Sequence, residues 1–359
     1  MDLTPDPLFR RLAGTVRARL AAAEDAAEAR AALRGIEAPA FEAPVGAGGF
    51  DLGLACGVVV CSELGRRALP DVHSGPSMAL DAMASSGTAE AAEAATALAA
   101  GDTAVHLAGF DLLGAPAERS LHAVPDGGAL RLSGTVSLPG NWIPGAHLLV
   151  PQRTGAGVRL VLLPEDRVRD RTRPAPGGRL VELTGLVAAE AEQIGDLGDG
   201  TPSPDPDGVL GRARVRAGAY LYGLALGAQD LAVRHAGSRQ QFGAPIVTRQ
   251  AVAFPLARQR IALGATRLAL LEAAWHADAD EPFSDLAVEA LALAAETATR
   301  VVRTALQIHG ARGMSLGEPV HAHYLLLPAA VRALGAVSVL WREAGRRRLA
   351  AVRVRVPAP

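Results

Sequence analysis

The chain has 359 residues, of which 49% are hydrophobic, and its formal net charge is −1. These values exclude a disordered polymer and a protein that attracts nucleic acid through charge, and they predict two or three packed globular units. We expect no membrane span, because no long uncharged apolar run is present. The first residues lack the features of a signal peptide, and Cys56 and Cys61 are too few for a disulfide framework. A cytoplasmic protein is therefore expected.

Three regions follow one another along the chain. Residues 1–103 are rich in alanine and leucine at helical spacing, with a glycine-rich break at Gly46–Gly49. Residues 104–205 contain short β-like runs bounded by Gly, Pro and Asp, which predict a compact β-domain. Residues 206–359 return to long helical stretches after a proline-rich linker at Thr201–Asp207. The order helix, strand, helix argues against a doubly wound sheet.

Individual elements can be predicted within these regions. The β-like runs are Ala104–Leu107, Leu130–Val136, His147–Val150 and Val158–Leu163. The longest helical stretches are Leu52–Leu69, Arg212–Ala236, Thr248–Ala279 and Pro282–His309. Within the last of these, the apolar residues of Leu286–Val302 fit either a face that pairs two chains or a helix of the core.

A short string between two predicted helices carries residues suited to a dinucleotide. It consists of Arg239-Gln240-Gln241-Phe242-Gly243-Ala244-Pro245-Ile246, and Gln250 follows as the next helix begins. The guanidinium of Arg239 is a planar, permanently charged fork that suits a pyrophosphate. Phe242 offers a flat surface, and Gly243 allows the backbone to approach a ligand closely.

A second string, Gln307-Ile308-His309-Gly310-Ala311-Arg312-Gly313, falls at a predicted helix end. Its glycines, Gly310 and Gly313, permit a backbone that lies flat against a ligand. Alone, the string is explained by a glycine that ends a helix, but its pairing with the first string favours a binding role.

Together the two strings resemble the C-terminal signatures of the acyl-CoA dehydrogenase family, flavoproteins that desaturate acyl thioesters. The resemblance is strongest from Arg212 to Pro319. It implies a mainly α fold with a central β-domain: an N-terminal helical domain, a middle β-domain and a C-terminal four-helix bundle. It also implies an acyl thioester substrate, on coenzyme A or a carrier protein, and a homo- or hetero-oligomer, either a dimer or a tetramer. The cofactor would be FAD bound mainly by a neighbouring subunit and contacted by Arg239, Phe242, Gln250, Gln307, Gly310 and Gly313.

The sequence departs from the family pattern at several positions. Ala311 occupies a place where family members usually carry a second glycine. Trp142-Ile143-Pro144 resembles a family motif near the flavin, but Pro144 replaces the residue whose hydroxyl bonds the ring, and the spacing from Gly134 does not fit. Trp142 is therefore equally a packing residue or a flavin neighbour.

The usual catalytic glutamate is missing. In most family members it follows the glutamine of the second string by 27 positions, where this chain has Leu334. In a minority it lies at the start of the helix before the first string, where this chain has Ala213. Neither side chain accepts a proton, so the catalytic residue is unknown. We considered six substitutes and expect none of them to be the base: Glu318, His321, His323, Tyr220, Tyr222 and Glu272. The tyrosines are weak bases that fit the lining of the acyl pocket or the core. The histidines fit solvated or packed positions, and Glu272 fits the surface of its helix. The resemblance implies that Glu318 is a common family feature and not the base.

Three functional hypotheses follow. The first is an FAD-dependent acyl-CoA dehydrogenase of lipid or secondary metabolism with a displaced base. The second is a catalytically incomplete subunit of a heteromer, in which a partner chain supplies the glutamate and this chain helps to hold the partner's FAD. The third is a tailoring enzyme with different chemistry on the same fold.

Overall fold

The computed structural model describes residues 7–86, 88–108, 121–139, 145–153, 158–175, 178–197 and 206–355. Trp142, Ile143 and Pro144, and most of the predicted linker, lie outside these ranges. The helices are α1 Pro7–Arg19, α2 Ala26–Arg34, α3 Leu54–Arg66, α4 Ser74–Ala84, α5 Ala89–Ala99, α6 Glu165–Val168, α7 Pro206–Ser238, α8 Gln250–Asp278, α9 Ser284–His309, α10 Pro319–Arg332 and α11 Val337–Arg355. The strands are β1 Val105–Leu107, β2 His122–Asp126, β3 Ala129–Ser133, β4 Thr135–Pro139, β5 His147–Arg153, β6 Val158–Leu163, β7 Thr172–Ala175, β8 Gly178–Glu182, β9 Val187–Ala188, β10 Gln193–Leu197, β11 Gln240–Gln241 and β12 Ala244–Pro245.

The chain forms two compact units. One comprises Met1–Ala32, Leu54–Asp71 and Arg214–Pro359, and the other comprises Leu33–Gly53 and Val72–Ala213. The order of elements confirms a mainly α fold with a central β region. The division into three domains at residues 103 and 205 stays a prediction.

The first unit is a helical bundle with α9 at its centre. Helices α8, α10 and α11 pack against α9, and α3 packs against α8. The buried side of α9 consists mainly of alanine, valine and leucine at helical spacing, such as Ala287, Leu291, Ala294 and Ala298. The apolar face predicted within Leu286–Val302 is therefore buried against the chain's own helices, as in a core helix.

Helices α3 and α7 approach each other unusually closely at glycines. A methyl group at Gly223 would overlap the carbonyl oxygen of Ser62, and one at Gly65 would overlap that of Tyr220. The hydroxyl of Tyr220 also donates a hydrogen bond of 2.7 Å to the carbonyl of Leu69. Tyr220 is thus a core residue, 4% exposed, and burial raises the pKa of its phenol well above the usual range.

The second unit contains three small sheets. Their strand orders are β1-β5-β6-β10, β2-β3-β9 and β4-β8-β7, and every pairing except the parallel β1–β5 pair is antiparallel. A core of leucine and valine side chains lies among them, including Leu132, Leu148 and Val161.

One predicted strand was wrong. The run Leu130–Val136 is not one strand but two, β3 and β4, which belong to different sheets. The break falls at Gly134, whose φ of +131° lies in a region open mainly to glycine. Apolar residues alternate on both sides of Gly134, so the sequence pattern predicted one continuous strand.

Among the described residues, no single helix is long and apolar enough to cross a membrane. Helix α10 and the first part of α11 are long and apolar enough only when they are taken together, and a bend of 43° separates them. In α3, Cys56 and Cys61 are both buried thiols.

Candidate functional site

The first string forms a tight hairpin between α7 and α8. Arg239 follows the last residue of α7, and its carbonyl accepts a hydrogen bond of 2.9 Å from the amide of Ile246. Strands β11 and β12 pair across the two turn residues Phe242 and Gly243, whose φ values are +52° and +79°. Positive φ at both central residues is the requirement of a type I′ hairpin turn.

The side chains of this hairpin point outward. The ring of Phe242 is 91% exposed, although an aromatic residue at positive φ is strained. Arg239 is exposed and has no ion pair or side-chain hydrogen bond within the described part of the chain. Gln250, the first residue of α8, is exposed as well.

The second string ends α9 as predicted. The amide of Gly310 bonds back to the carbonyls of Leu306 and Gln307, and Gly310 itself has φ +61° and ψ −143°. That conformation is restricted almost entirely to glycine, and the space where its side chain would lie is open. Gly313 is buried, and a methyl group there would press on the carbonyl of Leu306 at 3.0 Å. Gln307 and Ala311 are exposed.

Two histidines join these turns within one chain. The ring of His235, one turn before the end of α7, stacks on the ring of His309 with centroids 4.4 Å apart. His309 is buried, and its Nδ1 lies 2.7 Å from the carbonyl oxygen of Ala305. Sequence reasoning did not single out this pair, although His309 lies inside the second string.

Charge around the two turns is mainly positive. Burial lowers the pKa of His235, and the nearby charges of His309, Arg312 and Arg239 lower it further, while Glu318 raises it. Arg249, at the start of α8, places its guanidinium 5.8 Å from the centre of the Phe242 ring. This cation–π contact was also missed, and it holds a second arginine beside the hairpin.

The exposed turns fit the dinucleotide that the family binds. Arg239 and Arg249 supply unneutralised guanidinium groups, Phe242 supplies a free flat ring, and Gly310 leaves open space beside the backbone. These are groups that favour a pyrophosphate and a ring system.

The family's two base positions are apolar in the structure too. Leu334 lies in the short turn between α10 and α11, and Ala213 is 2% exposed on α7. Glu343, which sequence reasoning did not consider, pairs through both carboxylate oxygens with Arg214 at 3.0 and 2.9 Å. Burial raises the pKa of Glu343, but Arg214 and Arg347 more than offset this and hold it below its usual range, which makes Glu343 a weak base.

The substitutes considered from the sequence are structural or exposed. His321 is buried with its Nδ1 3.2 Å from the carbonyl oxygen of Gly313, so it supports the second turn. His323 is buried, and burial lowers its pKa to about 4. Glu318 lies 3.8 Å from Arg312, and Glu272 is exposed on α8, as expected.

Comparisons with known proteins agree with this architecture. Residues 207–349 match the family model of the acyl-CoA dehydrogenase C-terminal domain. The chain is 30% identical to acyl-CoA dehydrogenase FadE27 of Mycobacterium tuberculosis over 325 residues, covering 85% of this chain and 83% of that protein. Three other curated relatives are each matched over only 28% of their own length.

Solved structures share the fold over nearly the whole chain. A chain of the ChsE4-ChsE5 complex from Mycobacterium tuberculosis aligns with this chain at a TM-score of 0.85 and 24% identity, and the alignment covers 100% of each of the two. A variant of the Tcur3481-Tcur3483 steroid acyl-CoA dehydrogenase aligns over 96% of this chain and 99% of its own with a TM-score of 0.82 at 26% identity. The fold, the two turns and the relative matched over most of its length lead to one conclusion: the chain belongs to the acyl-CoA dehydrogenase family of FAD-dependent oxidoreductases.

Proposed function

We propose that this chain is the subunit of a two-chain acyl-CoA dehydrogenase that helps to hold FAD without supplying the catalytic base. The assembly oxidises an acyl thioester, on coenzyme A or a carrier protein, between Cα and Cβ. The observation that carries the proposal is a contrast within one chain. Its two turns keep Arg239, the ring of Phe242 and the glycines Gly310 and Gly313 of the family pattern, whereas Leu334 and Ala213 occupy both base positions.

The contrast matters because desaturation needs one acceptor for a hydride and another for a proton. FAD, when bound, accepts the hydride from Cβ. A positioned base must take the proton from Cα, and such a base typically contributes 10²–10⁴-fold in rate. Leucine and alanine cannot do this, and Glu343 is a weak base because Arg214 and Arg347 hold its pKa below the usual range despite its burial.

The groups that remain are those of a cofactor clasp. In the proposal, Arg239 binds the pyrophosphate, Phe242 covers a ring of the dinucleotide, and the backbone at Gly310 and Gly313 lies against it. All four lie on the two turns joined by the His235–His309 stack, so one protomer can present them together.

The two-chain form is supported by the relatives. ChsE4-ChsE5 is a complex, the Tcur3481-Tcur3483 enzyme carries a name of two parts, and both share this fold. A chain that lacks the base would complete its site only beside a chain that has one.

The visible absorption spectrum tests this proposal. Purified alone, the chain should be colourless, since the cofactor is bound mainly by the partner. Co-expressed with the acyl-CoA dehydrogenase-like chain of a neighbouring reading frame, it should purify as a yellow complex that bleaches when an acyl thioester is added. A chain that is yellow by itself and bleaches with substrate would show that it has a base of its own and would refute the division of labour.

A further inference from the structure

One stack of two imidazole rings connects the two turns of the candidate cofactor site. The rings of His235 and His309 have centroids 4.4 Å apart and an angle of 28° between their planes. His235 precedes Arg239 by one turn of α7, and His309 directly precedes Gly310 at the end of α9. Both histidines belong to the same compact unit. The stack therefore fixes the end of α7 against the end of α9, and each of the two turns starts from one of those ends.

His309 is the fixed member of this pair. It is 6% exposed, and its Nδ1 lies 2.7 Å from the carbonyl oxygen of Ala305. Because a carbonyl oxygen only accepts, this Nδ1 carries a hydrogen and donates it. His235 is half-buried, and its ring makes no hydrogen bond to any residue that the structure describes. His235 is therefore the ring that water reaches and that can gain a proton without losing a hydrogen bond.

The charged groups that face His235 come from every element around it. Arg239 follows α7, His309 ends α9, Arg312 lies on the turn after α9, and Glu318 directly precedes α10. Burial lowers the pKa of His235 below its ordinary value of 6.5, the charges of His309, Arg312 and Arg239 lower it further, and Glu318 opposes them. Without a ligand, the ring is therefore uncharged at neutral pH.

A diphosphate bound by Arg239 would reverse this balance. Both phosphate groups of a diphosphate diester stay negatively charged in neutral and mildly acidic solution, and a nearby negative charge favours the protonated imidazole. Linkage is reciprocal, so the protonated ring also raises the affinity for the diphosphate. The affinity therefore rises as the pH falls through the pKa of His235 in the bound state, and it levels off below the pKa in the free state.

We propose that His235 is a positioning residue of the FAD clasp. Its ring holds the first turn against the second through the stack on His309, and it takes up one proton when the diphosphate of the cofactor binds beside Arg239. The inference rests on the proposed function for the place of the diphosphate. It adds a residue outside both sequence strings and a dependence of cofactor affinity on pH.

Nuclear magnetic resonance of the histidine rings tests the proton uptake. The full chain is labelled at histidine and titrated with acid, with and without excess FAD at equal ionic strength, and the signals of His235 are those missing from His235→Phe. FAD should raise the pKa of His235 in the unchanged chain and leave it unchanged in Arg239→Ala. A pKa of His235 that does not move at the highest soluble FAD concentration, or that falls, would overturn the coupling.

The pH dependence of FAD affinity tests the two roles of the ring separately. In the two-chain complex, the FAD dissociation constant should fall about three- to tenfold from about pH 8 to about pH 6, because one coupled proton changes affinity at most about tenfold per pH unit. His235→Phe keeps an aromatic ring for the stack but cannot gain a proton. It should keep the high-pH affinity of the unchanged protein throughout this range. His235→Ala removes the ring and should bind FAD more weakly at every pH.

The control is His122→Phe, on the exposed strand β2, which should reproduce the pH profile of the unchanged protein. An identical profile in His235→Phe would overturn the proton uptake. An unreduced affinity in His235→Ala, with a normal circular dichroism spectrum, would overturn the positioning role.

This inference and the proposed function can fail separately. If no two-chain complex forms while FAD still raises the pKa of His235 in the chain alone, the coupling stands and the heteromer is wrong. If the yellow complex forms and Arg239→Ala strips its flavin, but FAD leaves His235 unaffected, the clasp stands and the role of His235 is wrong.

Discussion

Phe242 is the residue whose conformation is hardest to explain by folding alone. Its backbone is left-handed, its ring is almost fully in solvent, and its contact to Arg249 is an exposed one. A bulky residue at positive φ costs about 1 kcal/mol, and such strain persists where a ligand or partner repays it.

We predict that Phe242→Gly separates stability from function. The variant should gain up to about 1 kcal/mol in the free energy of unfolding, because glycine adopts this turn without strain. It should also lose flavin from the assembled complex. Urea unfolding and the flavin-to-protein absorbance ratio measure the two effects. A variant that is less stable and keeps its flavin would show that the ring serves the fold.

His323 gives the protein a predictable sensitivity to acid. Burial lowers its pKa to about 4 from the ordinary 6.5, so the unfolded chain binds a proton more readily than the folded one. Its contribution to stability is complete above pH 6.5 and is lost as the pH falls toward 4, by roughly 2 kcal/mol at about pH 5. Urea unfolding of His323→Leu should show a smaller loss between about pH 7 and pH 5. The exposed control His122→Leu should behave like the unchanged protein, and equal losses in all three would contradict the assignment.

Individual residues differ in how far the sequence alone determines their roles. The sequence predicted that Arg239, Gly310 and Gly313 lie at turns, because each of them follows or ends a predicted helix. The stack of His235 on His309 could not be predicted, since it joins positions 74 residues apart through packing. The burial of His321 and His323 likewise depends on which face α10 turns inward.

At the scale of elements, the close crossing of α3 and α7 limits what these helices tolerate. Gly223→Ala should destabilise the chain by about 2–3 kcal/mol, because the added methyl group overlaps the carbonyl of Ser62 and the helices must separate. Gly237→Ala is the control on the same helix, has open space, and should be neutral or stabilising by about 0.5 kcal/mol. Thermal unfolding of both compares them. Equal melting temperatures would show that the crossing can relax.

Helices were easier to predict than strands. The observed α8 and α9 begin and end within two residues of the predicted Thr248–Ala279 and Pro282–His309, because long alanine- and leucine-rich runs have one strong periodicity. The β region was predicted less well. Strands β2 and β7 to β10 were not predicted individually, and the run Leu130–Val136 gave no sign that it changes sheet at Gly134.

At the scale of the whole molecule, the features that a single chain leaves unexplained all lie at its surface. The strained exposed ring of Phe242 and the unneutralised arginines of the turns both face outward. The chain also lacks a catalytic base, because Leu334 and Ala213 occupy the family's two base positions. A second chain that brings a base and a cofactor would explain all of them together.

The flavin content of the assembled complex tests the central claim most directly. We would compare the ratio of flavin to protein in complexes that contain the unchanged chain, Arg239→Ala, or Arg234→Ala, an exposed arginine earlier on α7. The account predicts that Arg239→Ala assembles normally but retains less than about a tenth of the flavin, as loss of a charge-assisted pyrophosphate contact implies, while Arg234→Ala keeps it. Full flavin occupancy in the Arg239→Ala complex would contradict the account.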